Sequence, residues 1–471
     1  MLGFDQHRRI PIPTLIQSMV SSLPNRLLYR CSIAILTLYG AIVSLGSNAW
    51  AQTPISFREQ VAPILLEHCV ACHCAKKAEG GYRLDTVEQL VKPGDGGANP
   101  IVATKSPQSE WIVRMKHAEP DLRMPLDSEP LSQASIDAIG LWIDQGAQLD
   151  GILPTEPLWS VIPPKTYRAP PEHYTVPLPV TALAFTADGS QLLSSGYHEL
   201  LAWNPSDGSL MSRSPNLTQR IYSIVQAAEP TKWYVGGGTP GSLGEVRVLD
   251  LSTKSMEKVI ARGPDVVLDI AVRPGNQEIA VAMADNSIRI IELQKNETRR
   301  VIASHADWVV QLSYSEDGKR LGSASRDKSA KVADADSGEL LVSYPGHGAA
   351  VRGIASIQDG KQWISVGADN KLHRWEVENA KKIAEVPLGG EPSKIAKQDG
   401  SIWIPDADKH WYRFELANNA IAAKQPGHED WVTSVVVHPG TGRLATGSID
   451  GSIRVWNLAD GALIKAWVAK P

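Results

Sequence analysis

From about Tyr174 to its end the chain repeats itself at intervals near 42 residues, the length of one four-stranded β-sheet unit. A sheet of that size cannot bury its faces alone, so successive copies must stack on one another. The units align on a turn between two strands, at Ala187-Asp188-Gly189, Glu316-Asp317-Gly318, Gln358-Asp359-Gly360 and His438-Pro439-Gly440. Each turn is followed by a short apolar strand such as Gln191-Leu192-Leu193-Ser194-Ser195-Gly196 or Arg443-Leu444-Ala445-Thr446-Gly447-Ser448. Seven units begin near residues 174, 214, 261, 303, 345, 387 and 425. Seven such sheets close into a ring around a central channel, which removes most exposed strand edges.

The strand that follows ends on an aromatic residue in several units, at Trp203-Asn204, Trp375-Glu376 and Trp456-Asn457. With Gly427-His428, Ser448, Asp450 and Trp456, the last unit resembles a WD repeat most closely. That resemblance implies a His, Ser, Asp and Trp set hydrogen-bonded within a blade, and so a structural role for His305, His347 and His428 and for Asp327, Asp369 and Asp450. The fourth unit has Ala333 in place of the Trp, and the sixth is degenerate throughout.

Ahead of the repeats lies a five-residue run, Cys69-Val70-Ala71-Cys72-His73. Two thiols three positions apart share one side of a helical turn, where they can form thioethers with the two vinyl groups of a haem. The histidine after them can then ligate the iron. Cys69, Cys72, His73 and Cys74 also lie close enough for a zinc knot or a disulfide. A short-cluster zinc site normally draws on a second knuckle, however, and no cysteine follows residue 74. Cys74 has no assigned role.

Phe57, Val61, Ile64, Leu65 and His68 fall on one stripe and predict a helix over 55–68 that delivers Cys69. A Gly-rich loop region follows, then a short helix over 109–116 with Trp111 and Ile112. A final helix is expected from N-cap Ser132 to about Gln145, burying Ile136, Ile139, Trp142 and Ile143 and stopped by Gly146. Met124 is the candidate second iron ligand: Pro125 denies helix to it, so it belongs to an extended strap able to cross the far face of a haem. Met115 and His117 are the alternatives.

The run Phe57, Val61, Pro63-Ile64-Leu65, His68-Cys69, Cys72-His73, Gly80-Gly81, Arg83-Leu84-Asp85 resembles the planctomycete-type cytochrome c domain. So does the later run Arg123-Met124-Pro125, Leu131-Ser132, Ile136, Trp142-Ile143, Gly146-Ala147. The resemblance implies one covalently attached haem c, with Cys69 and Cys72 as attachment sites and His73 and Met124 as axial ligands. Leu126, where that family commonly has a second proline, and Cys74 depart from the pattern.

Residues 1–51 read as an export signal, with Arg26 and Arg30 before an apolar stretch from Cys31 to Leu45 and a small-x-small site at Ala49-Trp50-Ala51. Translation can start at Met1 or Met19, and an uncleaved anchor is the alternative to cleavage. Removing four Arg and one Asp takes the formal charge from −4 to −7. No basic run is present, which argues against nucleic acid or an anionic membrane as target. Eight prolines within residues 151–180 predict a stiff spacer.

The expected architecture is therefore a signal peptide (1–51), a small all-α cytochrome c-like haem domain (52–150), a Pro-rich linker (151–173) and an all-β seven-bladed propeller (174–471), with no membrane span in the mature chain. The expected function is a periplasmic mono-haem electron carrier, docking a redox partner protein through the propeller or the exposed haem edge. The alternatives are a redox enzyme with a propeller-borne substrate site, in the manner of the cytochrome-cd nitrite reductases, and a haem-containing scaffold or sensor.

Overall fold

Alternation of apolar residues with turn formers produces, in the computed structural model, seven four-stranded antiparallel sheets, each built from consecutive strands. They span 183–214, 220–263, 267–302, 309–344, 351–387, 396–426 and 432–468 and form a seven-bladed propeller. The structure describes residues 53–75 and 77–471; the expected export signal lies outside them. Among the described residues no helix is long and apolar enough to cross a membrane.

Second strands such as Leu192–Ser195 and Glu278–Met283 are buried throughout, whereas outer strands such as Lys382–Pro387 and Leu463–Val468 are largely exposed. Burial on both faces explains why second strands carry aliphatic and small residues without polar alternation. Glycine is required where a blade receives a large residue of the next one. A Cβ on Gly322 in blade four would lie 2.2 Å from the buried ring of Trp363 in blade five.

Among the described residues no strand is exchanged between the first and last blades, and the seam between them is held by side-by-side contacts. Val180 donates its N–H to the Ser448 carbonyl, and its own carbonyl accepts from the hydroxyls of Thr433 and Ser434. The degenerate sixth repeat does form a blade, although its first strand is only Ala396–Gln398. The segment before that strand reaches across the central channel. Lys394 bonds to the carbonyls of Tyr222 and Leu268 and to the Asp269 carboxylate, on blades two and three.

The expected intrablade sets are present in blades four and five, whereas blade seven changes two partners: Ser452 rather than Asp450 holds His428 Nδ1, and Thr446 rather than Ser448 holds Nε2. His305 bridges Asp327 and Ser323, and His347 bridges Asp369 and Ser365, where Trp375 also donates. In blade seven His428 bonds to Thr446 and Ser452, and Trp456 donates to Thr446. Ser448 instead accepts from the Asp450 N–H, one turn away from the role expected of it.

The N-terminal lobe holds only short helices among the described residues: a π-turn Phe57–Val61 continuing into α1 (Ala62–His68), then α2 (Glu110–Met115), α3 (Gln133–Asp144) and α4 (Leu158–Val161). Ser132 caps α3 by accepting the Ser135 N–H, and Gly146 ends it at φ +99°. The buried face of α3 is Ile136, Ile139, Trp142 and Ile143.

The proline-rich stretch is docked along its length. Val87 and Glu88 donate to the carbonyls of Glu156 and Pro154, and Leu158, Val161 and Ile162 join the lobe's core. That core also takes in Leu243 from blade two. Further on, the strap is gripped by two buried carboxylates. Glu245 accepts from Tyr167 Oη (3.2 Å), Arg247 and Arg262, while Arg247 also donates to the carbonyls of Lys165 and Asn216. Glu199 accepts from Tyr174 Oη and Arg213, and Arg213 donates to the carbonyls of Pro171 and Glu172. Prolines fix the path and remove donors; arginines satisfy the carbonyls that this leaves without partners.

Glu245 and Arg247 both have fully buried side chains. Arg247→Ala is expected to cost about 3 kcal/mol, because it leaves buried Glu245 with Arg262 as its one guanidinium partner and takes the donor from the Lys165 and Asn216 carbonyls; urea unfolding measures this. The second expectation concerns pH. Burial pushes His428 down to about 4 and moves His305 in the same direction. A folded pKa below the unfolded value near 6.5 means stability that is complete above pH 6.5 and lost as pH falls toward 4. Asp406, pushed up to about 7 by burial, acts in the opposite sense over the same range. The informative quantity is thus the difference between chains: His428→Gln should flatten the fall in unfolding free energy by up to about 1.4 kcal/mol per pH unit between pH 6 and 4.5.

Candidate functional site

Helix α1 ends where Cys69 and Val70 both donate to the Leu65 carbonyl. Cys72 and His73 then donate to the Cys69 carbonyl, winding the five-residue run into a tight turn. Leu84 donates to the His73 carbonyl at 2.7 Å and ties this turn to the following segment. Cys69 and His73 face a cavity of about 350 Å³, within the usual range for a cofactor site. Cys72 is exposed and is not among the lining residues.

The walls are apolar, made by Leu65, Tyr82, Leu84, Pro100 and Trp111. Met115 and Met124 line it as well. Gly80, Gly94, Gly96, Gly97 and Ala98 add little more than backbone, and the Glu110–Arg114 ion pair supplies the charged part of the lining. A Cβ at Gly96 or Gly97 would meet no described protein atom within 4 Å, so this rim is open to a bulky guest.

The donor set suits an iron porphyrin. His73 Nδ1 lies 3.3 Å from the Tyr82 carbonyl, so Nδ1–H donates there and Nε2 keeps a free lone pair, the tautomer that metal ligation needs. Tyr82 is itself held: its hydroxyl donates to the Leu90 carbonyl and accepts from Trp111 Nε1–H, both at 2.7 Å. Burial raises the Tyr82 phenol, so it stays protonated and can keep donating. Burial, with Cys72 adding to it, pushes the Cys69 thiol up to about 12.

Met124 sits half-buried in the segment after a short 3₁₀ turn, and its N–H donates to the Arg114 carbonyl at the end of α2. Met115 is buried in the lobe's core as well as lining the cavity. His117 does not line it; its ring accepts the Glu119 N–H. Cys74 is half-buried and packs against the core, away from the lining. The sequence reading missed Tyr82 and the glycine rim. Lys92-Pro93-Gly94-Asp95-Gly96-Gly97 reads as loop in sequence, and only the fold brings it to the cavity.

Comparison with known proteins assigns the two halves. Residues 69–127, which run from the first thiol past Met124, match the Planctomycete cytochrome C family model. Residues 296–334, 338–376 and 421–457 match the WD domain, G-beta repeat. The chain fuses a planctomycete-type cytochrome c segment to a WD-repeat propeller. The WD matches cover the strands that carry the three histidine-centred sets. Over 57 residues the chain is 39% identical to Eukaryotic translation initiation factor 3 subunit I of Coccidioides immitis (strain RS), covering 12% of this chain and 16% of that protein. At that coverage the likeness carries no statement about activity. The cytochrome segment, by contrast, includes every residue expected to attach or ligate haem.

Tyr82 is the keystone of the cavity wall. Tyr82→Phe removes one donor and leaves Trp111 Nε1–H without its acceptor, which should cost about 1–3 kcal/mol in urea unfolding.

Proposed function

We propose that the chain is an exported single-haem electron carrier whose propeller docks a protein partner. What carries this reading is a single cavity lined by Cys69, His73 and Met124 together, with His73 Nδ1 already committed to the Tyr82 carbonyl. A covalently held haem c supplies a one-electron couple, and a thioether sulfur as sixth ligand favours the reduced metal. Cys69 and Cys72 are the attachment sites in this proposal, His73 is the proximal ligand, and Tyr82 fixes the orientation of its ring.

Met124 is preferred to Met115 because Met115 is packed into the core of the lobe, whereas Met124 is half-buried outside it and held by its main chain. The largely apolar lining, with the Glu110–Arg114 pair at its charged part, tunes the potential along with the axial pair. The propeller presents exposed Trp308 and Trp431 on loops entering blades four and seven, the residue type that protein interfaces favour. Lys394 spanning the channel disfavours the alternative in which a substrate enters there.

The test is spectroscopic. Protein made with haem-attachment machinery should reduce reversibly in one-electron steps, and Met124→Ala should lose the sulfur-to-iron absorption band. The same variant should lose an appreciable part of the roughly 0.8 V span that axial ligands command, always toward lower potential. An unchanged potential and spectrum would remove Met124 from the site.

A further inference from the structure

Blade six departs from its neighbours where its second strand ends. Pro392 pairs with Asp406 there, as Val309 pairs with Ser325 in blade four and Val432 with Ser448 in blade seven. A carboxyl group therefore stands where two other blades carry a hydroxyl. In blade four the Ser325 hydroxyl accepts the Asp327 N–H at 3.1 Å and donates to the Asp307 carbonyl at 3.0 Å, in the turn that enters the blade. Asp406 repeats the first of these bonds, its Oδ1 accepting the Asp408 N–H at 2.9 Å. Its Oδ2 is buried with no hydrogen-bond partner among the described residues. An ionised carboxylate cannot make the second bond, because it has no proton to give.

The surroundings oppose a charge at this place. Asp406 is fully buried, and among the described residues no cation pairs with it. The charged groups packed around it are taken up by one another. Asp408 accepts from Tyr412 Oη and from the His410 N–H, lies 3.0 Å from Lys424 Nζ, and has the His410 ring nitrogen 3.3 Å from its other oxygen. On the entry segment Glu391 is paired with Arg352 of blade five. Blade seven contributes the Val432 N–H, which donates to the Asp406 carbonyl. Burial, and then the Asp408 charge, pushes the Asp406 carboxyl up to about 7.

The entry segment lies directly on these carboxyl groups. A Cβ on Gly390 would fall 2.6 Å from Asp406 Oδ1, and one on Gly389 would overlap the Asp408 carboxylate. Gly390 stands two residues before the paired position, the place of Asp307 in blade four. Four residues further on is Lys394, whose ammonium reaches blades two and three.

We propose that Asp406 is a neutral carboxylic acid that donates from Oδ2 to the Gly390 carbonyl, latching segment 388–395 and holding Lys394 across the channel until the acid ionises. A carboxyl whose pKa is raised in the closed state, against about 3.9 when freed, gives a latch that is complete below pH 4 and is lost as pH rises to 7. A buried acid kept neutral so that it can donate is a known use of this side chain. The device lies in the propeller and does not rest on the haem reading.

The experiment is hydrogen–deuterium exchange of the full chain, read by mass spectrometry on the peptide over 388–395, with wild type compared against Asp406→Ser and Asp406→Asn. The amides of Gly389, Ser393 and Ile395 report on the latch, because they donate to Tyr412 Oη, the Pro405 carbonyl and Gln311 Oε1. Asp406→Ser restores the residue of blades four and seven, so folding is expected to survive, and circular dichroism with a thermal melt checks this. After correction for chemical exchange, opening in wild type should rise about tenfold per pH unit between pH 5 and 7 and level off above, as release of one proton on opening requires. Both Asp406 variants should show no rise, and His410→Gln should keep it. Infrared spectra of wild type should carry a protonated-carboxyl C=O band at pH 6 that is gone at pH 8.5 and missing from both Asp406 variants. The wild-type readings stand even where a variant fails to fold. A flat wild-type profile, absence of the band, a rise that persists in the Asp406 variants, or its loss in His410→Gln would each overturn the proposal.

Discussion

The contact on which the N-terminal lobe's candidate site depends is the hydrogen bond from His73 Nδ1 to the Tyr82 carbonyl. It turns a residue at the end of a tight helical turn into a ring of fixed tautomer and orientation facing an apolar cavity. The tie extends outward through Tyr82 Oη to Trp111 and Leu90. Trp111 stacks on Trp142 of α3, and Trp142 lies against Phe57 at the start of the lobe.

A lobe of this kind gains from a neighbour, and the propeller supplies one. Leu243 completes its core, and the strap that follows is held at Glu245 and again at Glu199. Arg247 and Arg213 satisfy the main-chain carbonyls of Lys165, Pro171 and Glu172 in the proline-rich segment. The N-terminal lobe is consequently fastened to the ring at several points rather than trailing from it.

Much of this was legible in the amino-acid sequence, and the reasons are local. The Ser132 cap, the Gly146 stop and the buried stripe of α3 follow from residues within one helix. The spacing of Cys69, Cys72 and His73 is equally self-contained, as is the seven-fold repeat. What was not legible depends on residues far apart in the chain. Eight prolines between 151 and 180 read as a spacer because Arg247 and Arg262, which hold that segment, lie 80 residues or more beyond its anchored carbonyls. His428 pairs with Thr446 rather than Ser448 because strand register, not motif spacing, decides which hydroxyl faces the ring. The weakness of the sixth repeat in sequence corresponds to a blade whose entry segment is diverted to cross the channel.

The most direct test of the account is the ratio of covalently bound haem to polypeptide in the full chain produced with export and haem-attachment machinery, read on denatured protein so that loosely held haem is lost. One haem per chain, abolished by Cys69→Ser together with Cys72→Ser, is the predicted result. A colourless chain, or haem that is retained when both thiols are gone, would contradict it.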